Sequence, residues 1–241
     1  MDIKKLIQEK RPNLKDNSLK SYLITLKKLN DNEDIENLNY LKKFDDIMEK
    51  INEYSLPTQR NKLTALLVVL SAFQKKEFDD VELKYRKELE NKNKEYNDLM
   101  ASHEKSDKQQ ANWVSLKELR KVMNQLKKTA LSTQTKKGFQ PYLVAALYLL
   151  QPPKRLDFSN MKVISSRKNE NGKDNFLLNL GRNKKYFIFN QFKTDGKYGS
   201  KEVIVPKNIN SILNQWLKIN HTEDFLLNSK GEAMTSNGLG K

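Results

Sequence analysis

Apolar residues in the first hundred positions recur with the 3.6-residue period of an α-helix. The first stripe consists of Leu19, Tyr22, Leu23, Leu26 and Leu29. Asp16, Asn17 or Ser18 can cap the start of this helix, because each offers a side-chain oxygen to the free backbone amides of a first turn. The pattern predicts an amphipathic helix with one buried face.

Three more helical segments follow in the first half. The second stripe consists of Leu41, Phe44, Ile47, Met48 and Ile51. The segment 58–74, which Pro57 introduces, is apolar around so much of its circumference that it predicts the central helix of a bundle. Residues 77–105 keep a helical period but are mostly charged, which predicts a long exposed helix.

The second half begins with two more predicted helices. The first covers residues 113–131, with Ser115 as its cap and Glu118 three positions later. Trp113 is interpreted as a core residue on its apolar face. The second helix, residues 139–150, is almost wholly apolar and ends at Gln151–Pro152–Pro153, which cannot continue a helix.

After Met161 the pattern changes to strands separated by glycine-containing turns. The predicted strands are residues 162–165, 175–180, 185–189 and 202–205. Pro206 then opens a helix with Trp216 on its apolar face, residues 225–227 are extended, and residues 235–237 begin a last helix. The sequence therefore predicts an α+β protein, with a helical domain at 1–105, a linker at 106–112 and a domain with a small antiparallel sheet at 113–241.

Composition excludes several function classes. The 241 residues contain no cysteine and two histidines, which argues against disulfides and a zinc site. No phosphate-cradling glycine loop is present, which argues against a nucleotide site. Carboxylates are scarce in the second half, which argues against a metal-dependent nuclease site. We expect no metal, no cofactor and no small-molecule substrate. No apolar run reaches the roughly 20 residues that a membrane helix needs, and no secretory signal follows Met1. We expect a soluble, intracellular protein.

The positive charge is concentrated in the second half. Residues 1–110 contain 22 basic and 21 acidic residues, whereas residues 111–241 contain 23 basic and 9 acidic residues, a net charge of +14. A lysine-rich coding bias alone would spread over both halves. A basic surface gains affinity by releasing the counterions of nucleic acid, so the asymmetry predicts a nucleic acid as the partner.

Two motifs sharpen this hypothesis. In the first, residues 142–163 (YLVAALYLLQPPKRLDFSNMKV), an apolar helix leads into a turn that carries Arg155 and then Asp157. The second, residues 186–206 (YFIFNQFKTDGKYGSKEVIVP), has two strands around a turn next to Lys193.

Both motifs resemble those of tyrosine recombinases, of the kind found in integrases of large DNA viruses, virophages and related mobile elements. The resemblance implies that Arg155 is the first catalytic arginine and that Lys193 is the hairpin lysine that protonates the leaving 5′ oxygen. The family's usual three-residue spacing to the acid would instead select Lys154. Arg155 is favoured because a planar guanidinium can hold a phosphate with two parallel hydrogen bonds.

The resemblance also implies an architecture. Residues 1–105 would form the SAM-like core-binding domain that closes a clamp on DNA, and residues 113–241 the N-terminal part of the catalytic domain. Complete family members cut DNA through a 3′-phosphotyrosyl link without a cofactor and assemble on DNA. The family's His-x-x-Arg box and nucleophilic tyrosine are missing here, so we expect no strand cleavage from these residues.

Two other functions remain open at this point. The chain could be a non-catalytic DNA-binding protein derived from the integrase fold. It could also be a general basic interaction module that uses the helix predicted at 77–105 for protein partners.

Overall fold

The computed structural model describes residues 2–152 and 154–240. The chain divides into two compact units, Met1–Ala111 and Asn112–Lys241. The first unit is helical, and the second combines helices with a four-stranded sheet, so the predicted α+β class is confirmed. The boundary between the units falls within the predicted linker at 106–112, which includes a short helix.

Helices form the first unit. They are α1 (Ile3–Lys10), α2 (Asp16–Leu29), α3 (Phe44–Asn52), α4 (Leu56–Phe73), α5 (Asp79–Ala101) and α6 (Asp107–Ala111). Short 3-10 turns at Asn39–Lys42 and Lys76–Phe78 precede α3 and α5.

Helix α4 is the centre of the bundle, as its apolar circumference predicts. It packs against α1, α2, α3 and α5, and Leu63, Leu66 and Val69 on it are fully buried. Burial of a leucine contributes about 2 kcal/mol relative to exposure, so these side chains supply much of the unit's stability.

Two details at the start of the unit differ from prediction. Helix α1 was not predicted; Asp2 caps it, and Ile3 and Ile7 are buried against the bundle. None of the three candidates caps α2, because the helix already starts at Asp16, whose carboxylate lies in the first turn. There it interacts favourably with the helix dipole instead of accepting a cap hydrogen bond.

The buried residues of α5, Val81 and Tyr85, both lie near its N-terminal end. Tyr85 is fully buried, and its hydroxyl donates a 2.8 Å hydrogen bond to the carbonyl of Leu41. Leu99 and Met100, near the other end, are exposed. The prediction of a long exposed helix is therefore correct for its C-terminal part.

The second unit contains five helices and four strands among its described residues. The helices are α7 (Leu116–Thr133), α8 (Lys136–Leu149), α9 (Asp195–Tyr198), α10 (Lys207–Ile219) and α11 (Ser236–Leu239). The strands are β1 (Lys162–Ile164), β2 (Phe176–Asn179), β3 (Lys185–Phe189) and β4 (Lys201–Ile204). The predicted capping box of α7 is confirmed, since Ser115 and Glu118 each bind the other's backbone amide.

The sheet has the order β1-β2-β3-β4 and is not purely antiparallel. Strands β2, β3 and β4 pair antiparallel, but β1 pairs parallel to β2, with Val163 opposite Leu177. Parallel pairing requires the chain to cross back before the next strand. That crossover includes a 3-10 turn at Arg167–Asn169. The turn residues in this segment predicted an antiparallel connection, so that prediction is wrong for β1.

An aromatic cluster centred on Phe158 joins the sheet to the helices. The Phe158 ring contacts Phe187 and Phe189 on β3 and Tyr148 on α8, with centroid separations of 5.2, 5.7 and 5.9 Å. Helix α8 packs between α7 and α10. Trp216 on α10 is fully buried, as predicted, whereas Trp113 is 62% exposed, so its assignment to the core is wrong. Trp113 precedes α7, on a part of the chain that the core does not cover.

The C-terminal segment is tied to α8 and to the turn after it. The Gln140 side chain donates to the carbonyl of Leu227 at 2.8 Å and accepts from its amide at 2.7 Å. The hydroxyls of Ser159 and Ser236 are 2.6 Å apart, which holds the predicted last helix against residues 156–160. Within the described ranges, no helix has the length and apolar character needed to cross a membrane.

Candidate nucleic-acid interface

Arg155 lies in the irregular segment that follows α8. Its side chain is exposed, and no described residue forms a hydrogen bond or ion pair with its guanidinium. Its carbonyl accepts a hydrogen bond from the hydroxyl of Tyr148, which is half-buried on α8. Pro153, part of the predicted helix-ending turn, lies outside the described residues. Tyr148 thus anchors the Arg155 backbone while the guanidinium stays available to a ligand.

Asp157 and Lys154 flank this arginine. Burial raises the pKa of Asp157, and the charges of Arg155 and Lys154 together with the backbone amide of Arg155 partly offset that rise. The Lys154 ammonium lies 5.5 Å from the centroid of the Phe189 ring, at the end of β3. Lys154 therefore has an aromatic contact, whereas the charge of Arg155 acts on Asp157 without a hydrogen bond between their side chains among the described residues.

Lys193 is exposed in the loop that joins β3 to β4. The two strands pair antiparallel, with Phe189 opposite Lys201, so the predicted hairpin is confirmed. Its connection is longer than a tight turn and contains the one-turn helix α9. As with Arg155, no described residue makes a hydrogen bond or ion pair with the Lys193 side chain.

Asn175 brings the loops of Arg155 and Lys193 together. Its amide nitrogen donates to the carbonyls of Asp157 and Gln191, both at 2.9 Å. Its oxygen accepts from the amides of Asn190 and Gln191 at 2.9 and 2.8 Å. Asn175 is only 7% exposed, so these bonds are protected from water. One buried side chain therefore connects a position two residues after Arg155 with a position two residues before Lys193.

Asn190 extends this connection across the base of the loop. Its side chain donates to the carbonyl of Asp174 at 2.8 Å and accepts from the hydroxyl of Ser200 at 2.6 Å. Both ends of the loop are therefore fixed, and the Lys193 segment projects from an ordered base.

The edge formed by these loops is predominantly basic. Its cations are Lys154, Arg155, Lys193, Lys197 and Lys201, and its acids are Asp157 and Asp195. Lys201 lies 5.1 Å from the centroid of Phe192 and 4.9 Å from that of Tyr198. We call this set of loops and cations the basic edge. Its charge and accessibility suit an anionic ligand such as a phosphodiester.

Sequence reasoning selected Arg155 and Lys193 but missed the residues that support them. Asn175 stands at the start of a predicted strand, where an asparagine is one of many turn residues. The hydroxyl of Tyr148 reaches the Arg155 carbonyl across the turn that ends α8, a contact that apolar periodicity does not predict. Neither role leaves a local pattern in the sequence.

Neither a protein-family model nor a curated protein matches the sequence.

Proposed function

We propose that the chain binds double-stranded DNA and that the basic edge holds a backbone phosphate between Arg155 and Lys193. The observation that carries this proposal is the Asn175 connection, which links the loops of two exposed cations that have no side-chain partner among the described residues. Because this connection holds the two loops next to each other, both cations belong to one surface.

The charge distribution supports the same proposal. Residues 111–241 carry a net charge of +14, and only two acidic residues belong to the basic edge. A guanidinium and an ammonium carried on adjoining loops can share the non-bridging oxygens of one phosphate. Charge-assisted hydrogen bonds of this kind position a protein on DNA without reading its sequence.

Complete members of the family that the chain resembles carry out site-specific recombination of the integrase kind, by phosphotyrosyl strand transfer. We propose that the chain takes part in the same process. For these 241 residues we propose DNA binding without cleavage, since they include neither a His-x-x-Arg box nor the tyrosine that follows it. The chain would act in the intracellular compartment that holds its target DNA, and copies of it could associate there.

The test is the salt dependence of binding to a labelled DNA duplex by the full chain. We expect log K to fall steeply and linearly with log salt, and Arg155→Ala to reduce that slope by about 0.9, as for one lost phosphate contact. Lys193→Ala should reduce affinity less, since an ammonium on an exposed loop makes a weaker contact than a bidentate guanidinium.

Arg182→Ala is the matched control. Arg182 is also exposed, and its replacement removes the same charge. It lies in the turn between β2 and β3, at the opposite end of the sheet. We expect little loss of affinity from this substitution. Equal losses from Arg155→Ala and Arg182→Ala would show that only total charge matters, and salt-insensitive or absent binding would refute the proposal.

A further inference from the structure

The loop between β3 and β4 exposes an aromatic ring that the proposed phosphate contacts do not use. Tyr198 is 56% exposed, at the end of α9. Its hydroxyl makes no hydrogen bond to the part of the chain that the structure describes. Aromatic rings normally gain stability by burial, so an exposed ring with an unpaired hydroxyl is available to a partner.

Two lysines flank this ring. The ammonium groups of Lys197 and Lys201 lie 5.2 and 4.9 Å from the Tyr198 ring centroid. Both lysines are exposed, so each can reach a phosphate next to whatever contacts the ring. An aromatic ring between cations is the combination that proteins use to bind single-stranded nucleic acid, because every base has a π-face and every nucleotide a phosphate.

The ring is held by an ordered backbone. The amide of Tyr198 donates to the carbonyl of Thr194 at 3.1 Å, and the amide of Gly199 to that of Asp195 at 2.8 Å. Gly199 then turns the chain with a φ of +66°, a conformation that favours glycine. Ser200 is bonded to Asn190 at the base of the loop. The backbone that carries the ring is therefore preformed, so stacking of a base has to order only the side chains of Tyr198, Lys197 and Lys201.

We propose that Tyr198, Lys197 and Lys201 form a binding site for an unpaired nucleobase of DNA. The proposal rests on the DNA-binding function above and adds a second ligand group to the phosphate at the basic edge. Paired bases inside a duplex are stacked on both faces, so neither face is accessible to the Tyr198 ring. The site therefore favours DNA whose strands are locally separated.

The experiment compares two labelled DNA duplexes of equal length and phosphate number, bound to the full chain. One is fully paired, and the other contains a central three-base mismatch. We expect the wild-type chain to bind the mismatched DNA about tenfold more tightly, in line with one stacked base. Tyr198→Leu should abolish this preference and leave affinity for paired DNA unchanged, while Tyr198→Phe should retain it.

The lysine variants and an unrelated exposed aromatic complete the test. Lys197→Ala and Lys201→Ala should weaken binding to both duplexes. Trp113→Leu removes a ring of similar exposure outside this loop and should leave the preference intact. Retention of the preference by Tyr198→Leu, or equal binding of both duplexes by the wild type, would overturn the base site while the DNA-binding function stood. Failure to bind either duplex would refute both.

Discussion

The two units differ in what they bury as well as in charge. The first is nearly neutral and is organised around one apolar helix, α4, whose side chains fill the bundle. The second carries a net charge of +14 and buries polar side chains, Asn175 and Lys185 among them, that bond to loops. Apolar packing is enough to hold helices together, whereas fixed loops need directional hydrogen bonds. Both units contain such bonds, but among the described residues the second unit buries more polar side chains: Ser159, Asn175, Lys185 and Asn220, against Gln59 and Lys62 in the first.

Two buried lysines make this contrast specific. Lys62 in α4 is 5% exposed, and its ammonium lies 4.0 Å from the centroid of the Tyr54 ring. Lys185 in β3 is 2% exposed and donates to the side-chain oxygens of Asn210 and Asn214 and to the carbonyls of Gly181 and Arg182. Lys62 packs against an aromatic ring, whereas Lys185 joins the β2–β3 turn to α10 through hydrogen bonds.

The largest expected effect is in the apolar unit. Leu66→Ala should lower the free energy of unfolding of the first unit by about 3 kcal/mol, because it leaves a cavity in the centre of the bundle. Both tryptophans are in the second unit, so tryptophan fluorescence follows that unit and far-ultraviolet circular dichroism follows both. The circular dichroism transition should move to lower denaturant and the fluorescence transition should not.

Leu83→Ala is the control for this substitution, since Leu83 is 68% exposed on α5. Its effect should stay within about 0.5 kcal/mol. A fluorescence transition that moved together with the circular dichroism would mean that the two units unfold as one.

Asn175→Ala should have the next largest effect, on the second unit. It leaves buried backbone groups of Asp157, Asn190 and Gln191 without partners, at a cost of about 3 kcal/mol in unfolding free energy. The fluorescence transition reports it. Asn171→Ala removes the same kind of side chain from an exposed turn, where water replaces the lost bonds, and should cost under about 1 kcal/mol. Similar losses for the two variants would contradict a special role for Asn175.

Local sequence patterns predict the helices and strands far better than they predict the hydrogen bonds between loops. The central helix α4, the α7 capping box and the β3–β4 hairpin follow from local patterns of apolar and capping residues. Arg155 and Lys193 were selected by resemblance to a family, not by any physical signal in their own segments. Their relation is a prediction from that resemblance, and the experiments above test it.

Two of the features that sequence reasoning missed depend on contacts between distant segments. Asn175 bonds to residues 15 or more positions away, and the parallel pairing of β1 with β2 depends on where the crossover lies against the sheet. The crossover is held by Arg167, whose guanidinium donates two 2.8 Å hydrogen bonds to Glu202 on β4. Periodicity describes a segment's own face, and it carries no information about which other segment that face meets.

Substitution of the two buried lysines should change the free energy of unfolding by smaller amounts, which differ between the units. Lys185→Met should destabilise the second unit by about 2 kcal/mol, because it leaves buried oxygens without their donor. Lys62→Met should change the first unit by less than about 1 kcal/mol, since the lost ring contact is offset by removal of a desolvated cation. Equal losses would show that the two lysines have the same role.

The stability of the second unit should also depend on pH through Lys185. Burial lowers the pKa of Lys185 from its ordinary value of 10.5, so the unfolded chain binds this proton more tightly than the folded chain. Stability should therefore rise with pH between the lowered pKa and 10.5. Lys185→Met should lack this rise when its denaturation is compared with the wild type over the alkaline range. A variant that kept the full rise would assign it to other groups.

The smallest effect concerns helix capping. Ser115→Ala removes the hydroxyl that accepts from the amide of Glu118 and should destabilise the second unit by about 1 kcal/mol. Ser55→Ala is its counterpart in the first unit. Ser55 stands at the start of α4 but its side chain makes no cap hydrogen bond, so we expect almost no change there. Denaturation of the two variants in parallel measures the difference.

The double hydrogen bond between Gln140 and Leu227 has a consequence for synthesis of the chain. The two residues are 87 positions apart, so α8 leaves the ribosome long before its partner strand segment exists. At about 5–20 residues per second, the gap amounts to several seconds. The first unit can finish folding during that interval, whereas the second must wait, with part of its apolar surface uncovered, until the residues around Leu227 are translated.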